Sequence, residues 1–268
     1  MIPNVLSIAG SDPSGGAGIQ ADLKAMSANG AYAMAAITAL TAQNTQGVSG
    51  IHLVPPEFVQ AQIKAIFEDI RVDAVKIGMI ANAEIAAAVA EALQGCDAPI
   101  VLDPVMIAKG GAPLLQPDAV GTLRTRLLPL AFVLTPNLPE AAHLLDRPIA
   151  QTREEMAQQA RALIALGPSA IVMKGGHLDG ADSPDCLVTS DNVTWFEGAR
   201  TATRNTHGTG CTLSAALAAQ IARKQSLPKA VAAAKAYVSD AIAHADDLSV
   251  GSGHGPTHHF ANLKGLSR

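Results

Sequence analysis

Short apolar runs alternate with longer amphipathic stretches along most of this chain. Val5 to Ile8, Met34 to Leu40, Ala74 to Ile77, Ile100 to Leu102, Phe132 to Leu134 and Ile171 to Met173 are rich enough in aliphatic residues to predict parallel strands covered on both faces. Between them, Pro56 to Ile70, Ala83 to Leu93, Asp118 to Leu127 and Arg153 to Leu166 carry apolar residues at helical spacing. Strand and helix therefore alternate, which predicts an α/β fold built on a doubly wound, mostly parallel sheet with helices on both faces. After Lys174 the rhythm changes. Cys186 to Thr189 and Val193 to Phe196, separated by Ser190 to Asn192, predict a hairpin at the sheet edge, and two helices close the chain. No internal repeat, linker or low-complexity segment divides the 268 residues, so a single domain over 1–268 is expected.

Composition narrows the function classes. Hydrophobic residues make up 49% of the chain but aromatics only 3%, so the core should be aliphatic. The formal net charge is −4 and no run of Lys or Arg stands out, which argues against nucleic acid as a partner. A bound polyphosphate would have to be neutralised locally, by helix N-termini, a divalent ion and one or two lysines. Cys96, Cys186 and Cys211 are scattered and form no CxxC pair, as expected of reduced thiols in a cytoplasmic protein. Met1 to Gly10 lacks a basic start, and no stretch approaches about 20 uninterrupted apolar residues, so neither secretion nor a membrane partner is expected.

In an open parallel sheet, ligands bind beyond the carboxyl ends of the strands. That rule selects Ser11 to Gly18, Gln43, Met79, Asp103, Asn137 to Glu140 and Lys174. The segment Asn205-Thr206-His207-Gly208-Thr209-Gly210-Cys211 runs into an apolar helical pattern, so a glycine-rich turn opens a helix there. Its exposed NH groups and the helix dipole suit the charge that develops on a transferred phosphoryl group, although a plain helix N-cap would use similar residues.

The first loop, Gly10 to Gly18, superficially matches a dinucleotide fingerprint, but the chain reads Leu40-Thr41-Ala42-Gln43-Asn44 where that reading wants an acid. It is better read as a substrate loop. No GxxxxGK[ST] occurs, which excludes a P-loop. Asn137 and Glu140 stand three apart at a helix start, where they can hold a hydrated Mg²⁺ or simply compensate the helix dipole. Asp103 is a second hard oxygen ligand in the same region, and Lys174 could place an ammonium on the phosphates. His254, His258 and His259 lie among Gly253, Gly255 and Pro256, so a loop or tail role is expected of them rather than a helical metal site.

These segments resemble the hydroxymethylpyrimidine and phosphomethylpyrimidine kinases of thiamine biosynthesis, within the ribokinase superfamily. The likeness runs along nearly the whole chain. It rests on Ala9 to Asp22, Ala42-Gln43-Asn44-Thr45, Lys76-Ile77-Gly78-Met79, Thr135 to Glu140, Met173 to His177, Asn205 to Cys211 and the closing Gly253 to Phe260. The resemblance implies a ribokinase-like three-layer sandwich without a separate lid domain, typically a homodimer. It implies two successive ATP-dependent phosphorylations, of 4-amino-5-hydroxymethyl-2-methylpyrimidine and then of its monophosphate. Gln43 would read the aminopyrimidine edge, with Gly10, Ala17, Met79, Val105 and Cys211 lining the ring and its hydroxymethyl group. Glu140 and Asp103 would serve the magnesium nucleotide with Asn137, Lys174 the phosphates, and the NH groups of Gly208, Thr209, Gly210 and Cys211 the anion hole. A monovalent cation is a further candidate.

Where sugar kinases of the superfamily have a basic Asp after Gly-Thr-Gly, this chain has Cys211. Its place at a helix start would lower a thiol pKa while bound ATP would raise it. Cys211 is accordingly expected to contact the substrate and to assist proton removal. Two other functions fit parts of the pattern: a vitamin B6 kinase acting on a similar hydroxymethyl group, and a non-catalytic pyrimidine-binding regulator.

Overall fold

The structure is a computed structural model and describes residues 1–106, 116 and 119–263. In chain order the elements are β1 (Asn4–Ala9), α1 (Gly18–Ala28), β2 (Tyr32–Ile37), β3 (Ala39–Asn44), β4 (Gly47–Leu53), α2 (Pro56–Asp69), β5 (Ala74–Ile77), α3 (Ala83–Ala92) and β6 (Ile100–Leu102). They continue with α4 (Ala119–Thr122), β7 (Val133–Leu134), α5 (Leu138–Leu145), α6 (Arg153–Ile164), β8 (Ala170–Met173), β9 (Asp185–Val188), β10 (Val193–Phe196), α7 (Thr209–Ala222) and α8 (Leu227–Ala243). Eight strands form one sheet in the order β10-β9-β8-β7-β6-β5-β1-β2. The pairs from β2 to β8 are parallel, and β9 and β10 continue antiparallel as the predicted edge hairpin.

Strand alternation sorts side chains to two faces. Leu6, Ile8, Val75, Ile77 and Leu102 point to the layer of α2, α3, α5 and α6, where they meet Val59, Ile63, Ile85, Leu138 and Met156. Val5, Ala74, Val101, Val133 and Val172 point to the opposite layer and meet α1, α7 and α8. Alanine dominates that second interface, so α7 lies close to the sheet. A buried polar group interrupts it: the Lys76 ammonium is 2.8 Å from Asp22 Oδ2, and Ser7 Oγ donates to the same oxygen at 2.6 Å.

Two predicted elements are corrected. Met34 to Leu40 is not one strand, because β2 stops at Ile37 and β3 starts at Ala39. Thr38 makes the break: its NH donates to Ala9 O and its hydroxyl to Met79 O, which pins it while the chain turns off the sheet. β3 then pairs with β4 as a separate two-stranded ribbon, so Gln43 lies on a strand of that ribbon rather than just past a strand of the main sheet. The second correction concerns the helix predicted to Leu127. Its first residue, Asp118, lies outside the described residues; beyond it, α4 gives one α turn, widens to a π turn over Leu123–Leu127 and tightens to a 3-10 turn at Leu128–Leu130.

Candidate active site

The carboxyl ends of β1, β5, β6, β7 and β8 converge on the N-terminus of α7. Lys174, just past β8, is seated by its NH donating to Pro136 O at 2.9 Å. Its ammonium donates to Asp103 Oδ1 at 2.8 Å and lies 3.7 Å from Glu140 Oε2. Asp103 is held in turn by its NH on Ile77 O, by Thr135 Oγ1 at 3.2 Å and by Ser214 Oγ of α7 at 3.3 Å. Asn137 and Glu140 form a reciprocal capping box: Glu140 NH donates to Asn137 Oδ1 at 2.8 Å, and Asn137 NH donates to Glu140 Oε2 at 2.7 Å.

Burial and charge act against each other across this group. Burial pushes Asp103 up, but Lys174 and Lys76 outweigh it and hold the carboxyl below its ordinary value. For Glu140 burial wins, helped by repulsion from Asp103, and the pKa rises to about 7 despite Lys174. Burial disfavours the Lys174 charge too, yet the two carboxylates hold its pKa above the ordinary value, so it remains an ammonium.

Above these groups, Gly208 opens α7 with a φ of 76°, and a Cβ there would run into the Gly16 carbonyl oxygen. Only glycine lets the substrate loop and the anion loop lie so close. A Cβ built on Gly210 would be 3.3 Å from Lys174 Nζ and 3.6 Å from Asp103 Oδ2, so the helix N-terminus and the ammonium face the same space. With Cys211 they offer backbone NH groups and a cation to one anion, while Thr209 NH turns back to Thr206 O at 3.4 Å.

On the substrate side, Gly10 NH donates to Met79 O, and Met79 packs with Ala39, Ala81 and Val105 in a small apolar cluster. Ala17 NH donates to Asp12 Oδ2 at 2.8 Å. Cys211 accepts a backbone hydrogen bond from Gly18, and burial pushes its thiol up to about 11 against the nearby Lys76. Burial thus adds a third influence to the helix start and the nucleotide charge weighed from the sequence, and it pushes the thiol up. Gln43 projects from β3 beside Thr41 and His207.

Three groups at the site were missed in the sequence reading as side-chain participants: Asp12, His207 and Thr41. All lie inside or next to the motifs quoted above, but only the fold joins them. The closing histidines are structural. His254 NH donates to Thr45 O at the ribbon tip, His207 NH donates to Gly255 O, and the buried His259 meets Thr212 Oγ1 through Nε2 at 3.1 Å.

Such a fold, with an ammonium and two carboxylates under a glycine-opened helix start, defines a ribokinase-like phosphotransferase. Comparison with known proteins narrows the class. The family model for phosphomethylpyrimidine kinase matches residues 12–258. The hydroxymethylpyrimidine/phosphomethylpyrimidine kinase of Escherichia coli is 56% identical over 258 residues, 96% of this chain and 97% of that one. The crystal structure of a phosphomethylpyrimidine kinase from Clostridium difficile is 41% identical, with a TM-score of 0.80 over 90% of this chain and 99% of that one. A pyridoxal kinase from Staphylococcus aureus, solved with AMP-PCP and pyridoxal, is 32% identical with a TM-score of 0.90, over 98% of this chain and 96% of its own. The chain belongs to the phosphomethylpyrimidine kinase family.

Proposed function

We propose that this protein transfers the γ-phosphoryl group of ATP to the hydroxymethyl oxygen of 4-amino-5-hydroxymethyl-2-methylpyrimidine, and then phosphorylates the monophosphate, in thiamine biosynthesis. The observation that carries this reading is the convergence of Lys174, Asp103 and Glu140 on the Gly208–Cys211 helix start, with the small apolar cluster of Met79 and Val105 on the substrate side. The names of the relatives support the pyrimidine.

Phosphoryl transfer through a loose transition state depends on positioning and on charge neutralisation. In this reading the NH groups of Gly208, Gly210 and Cys211 bind the migrating group, and the Lys174 ammonium holds its oxygens. Asp103 keeps that ammonium charged and aimed. Among the described residues no group of three His, Cys, Asp or Glu side chains could hold a metal by itself. Asp103 and Glu140 are nevertheless hard oxygen donors in one place, which fits Mg²⁺ held partly through water, since that ion takes one or two carboxylates plus phosphate oxygens. Bound there, Mg²⁺ would neutralise phosphate charge. A thiol at about 11 is a poor base at neutral pH, so Cys211 serves as a pocket wall that orients the hydroxymethyl group, and the acceptor loses its proton late. The cavity of about 760 Å³ beside the anion loop, lined in part by Arg204, Asn205, Asp246 and Val250, has room for the nucleoside.

Two further parts belong to the same proposal. A two-stranded ribbon is marginal alone, and this one exposes Leu40, Ile51 and Leu53, so a second copy covers it in a homodimer. Leu40→Asp should then shift the mass measured by light scattering from dimer to monomer. The protein works in the cytoplasm: Cys96, Cys186 and Cys211 are free, and no helix among the described residues is long and apolar enough to cross a membrane.

An ATP-consumption assay decides the function. Turnover with the pyrimidine and with its monophosphate, dependent on Mg²⁺, is the expected result; turnover with pyridoxal alone would favour the activity named for the Staphylococcus aureus neighbour. Repeating the assay with tetraalkylammonium salts in place of K⁺ tests the monovalent cation.

A further inference from the structure

Asp12 and His207 have no role in the reaction described so far, yet they reach Gln43, which the family resemblance sets at the aminopyrimidine edge. The Asp12 carboxylate is 1% exposed. Its Oδ1 accepts from Ser14 N at 2.9 Å and Ser14 Oγ at 2.6 Å, and its Oδ2 accepts from Ala17 N and sits 2.8 Å from His207 Nε2. Burial opposes its charge, but these bonds prevail, His207's being the largest of them, and the pKa falls to about 2. The carboxylate is therefore ionised at working pH, and His207 Nε2 must carry the hydrogen between them.

That nitrogen also lies 3.4 Å from Gln43 Nε2; carrying the hydrogen it gives to Asp12, it has no lone pair to accept with and can meet the carboxamide only by sharing that hydrogen. The other end of the carboxamide lies 3.3 Å from Thr41 Oγ1. Thr41 has one hydroxyl hydrogen, and it goes to Ser11 O at 2.9 Å, so towards Gln43 that oxygen can only accept. A carboxamide with a donor at one end and an acceptor at the other has one consistent orientation: Oε1 faces His207 and Nε2 faces Thr41. The structure sets Nε2 against His207 Nε2 and Oε1 against Thr41 Oγ1, which pairs donor with donor at His207, so the amide is read here turned over, as the two ends of a carboxamide are assigned from their partners. In the consistent orientation Oε1 keeps a second lone pair and Nε2 a second hydrogen, side by side on the free edge of the amide.

We propose that Asp12 and His207 are positioning residues for substrate selection, locking the Gln43 carboxamide so that its free edge accepts from an amino group and donates to the adjacent ring nitrogen. A ring carbonyl beside a ring NH presents the reverse pattern and would face the locked edge with like groups. This rests on the proposed function above and on the resemblance that sets Gln43 at the pyrimidine.

The test compares two substrates in one protein: the 4-amino-pyrimidine and its 4-oxo counterpart, which keeps the hydroxymethyl and methyl groups. Wild type should favour the amino compound in kcat/KM by about a hundredfold or more, because the oxo compound leaves buried polar groups unpaired. His207→Phe keeps a ring and removes the donor, and Asp12→Asn frees His207 to take the other tautomer. Each should lower the amino-to-oxo ratio by about tenfold or more. A merely structural role would lower activity on both compounds in parallel and leave the ratio alone. An unchanged ratio in variants with wild-type circular dichroism overturns the proposal, and if His207→Phe does not fold, Asp12→Asn decides by the same ratio. Gln43→Leu separates the two levels. If it leaves both KM and the ratio intact, the placement of Gln43 fails and the proposal with it. If Gln43→Leu collapses the ratio while the other two variants preserve it, Gln43 reads the substrate and the positioning role alone is wrong.

Discussion

Cys211 carries the clearest consequence at the scale of one residue. A thiol pushed up to about 11 by burial offers almost no thiolate at neutral pH, so removing it should not cost what losing a general base costs, roughly a hundredfold or more. Cys211→Ala is expected to lower kcat by less than about tenfold, evenly across pH 6 to 9, with Cys211→Ser closer to wild type. A loss of a hundredfold or more that varies with pH would return the thiol to the role of base. Glu140 makes a second case. Its carboxylate caps the start of α5 and faces Lys174, so replacing it by Gln keeps shape and removes charge. Glu140→Gln should raise the Mg²⁺ concentration needed for half-maximal turnover and be partly rescued by excess Mg²⁺. Unchanged metal dependence would take Glu140 out of the magnesium site. Glu140 was legible in the sequence because it opens the helix that follows a central strand, where the topology puts ligands, and Cys211 because a glycine-rich turn announces the start of α7. The Asp12–His207 pair was not, since its members are 195 positions apart and no local pattern couples them.

At the scale of elements, the interface of β1, β5 and α1 holds the fully buried pair Lys76–Asp22. Breaking such a pair from one side leaves a charge without a partner, which costs about 3–5 kcal/mol. Lys76→Met should lower the urea midpoint accordingly, while the double replacement Lys76→Met with Asp22→Leu should recover a good part of the loss. A single variant within about 1 kcal/mol of wild type would show that the pair is electrostatically neutral to the fold. The same scale shows which elements the pattern could reveal. β5 and β6 begin and end with their apolar runs, because strands buried on both faces record their environment in their own composition. The β3–β4 ribbon left no such record. β4 reads Gly-Val-Ser-Gly-Ile-His-Leu, has two glycines and is largely exposed, and its pairing with β3 satisfies no apolar core.

For the whole molecule, acid sensitivity follows from the closing segment. His259 is 4% exposed, and burial, helped by Lys24, His258 and His207, holds its pKa down at about 4. Above about pH 6.5 it is neutral in both the folded and unfolded chain, and its contribution is complete. Between pH 6.5 and about 4 the unfolded chain binds a proton that the folded chain refuses, so stability falls as pH falls, by about 2–4 kcal/mol. Urea midpoints measured across that range should decline in wild type and decline less steeply in His259→Asn. Equal slopes would mean that other groups govern the acid limb.

The division between sequence and structure follows from the range of the forces involved. Period and composition act within a few residues, and they determined the α/β class, the central strands, the edge hairpin and the list of strand-end residues. Tertiary structure decided what depends on residues distant in the chain meeting in a dry interior. It turned Thr38 out of the main sheet, set Lys174 between Asp103 and Glu140, raised the Cys211 thiol against the pull of a helix start, and brought Asp12, His207 and Gln43 together. Burial and hydrogen-bond partners set those outcomes, and neither exists until the chain has folded.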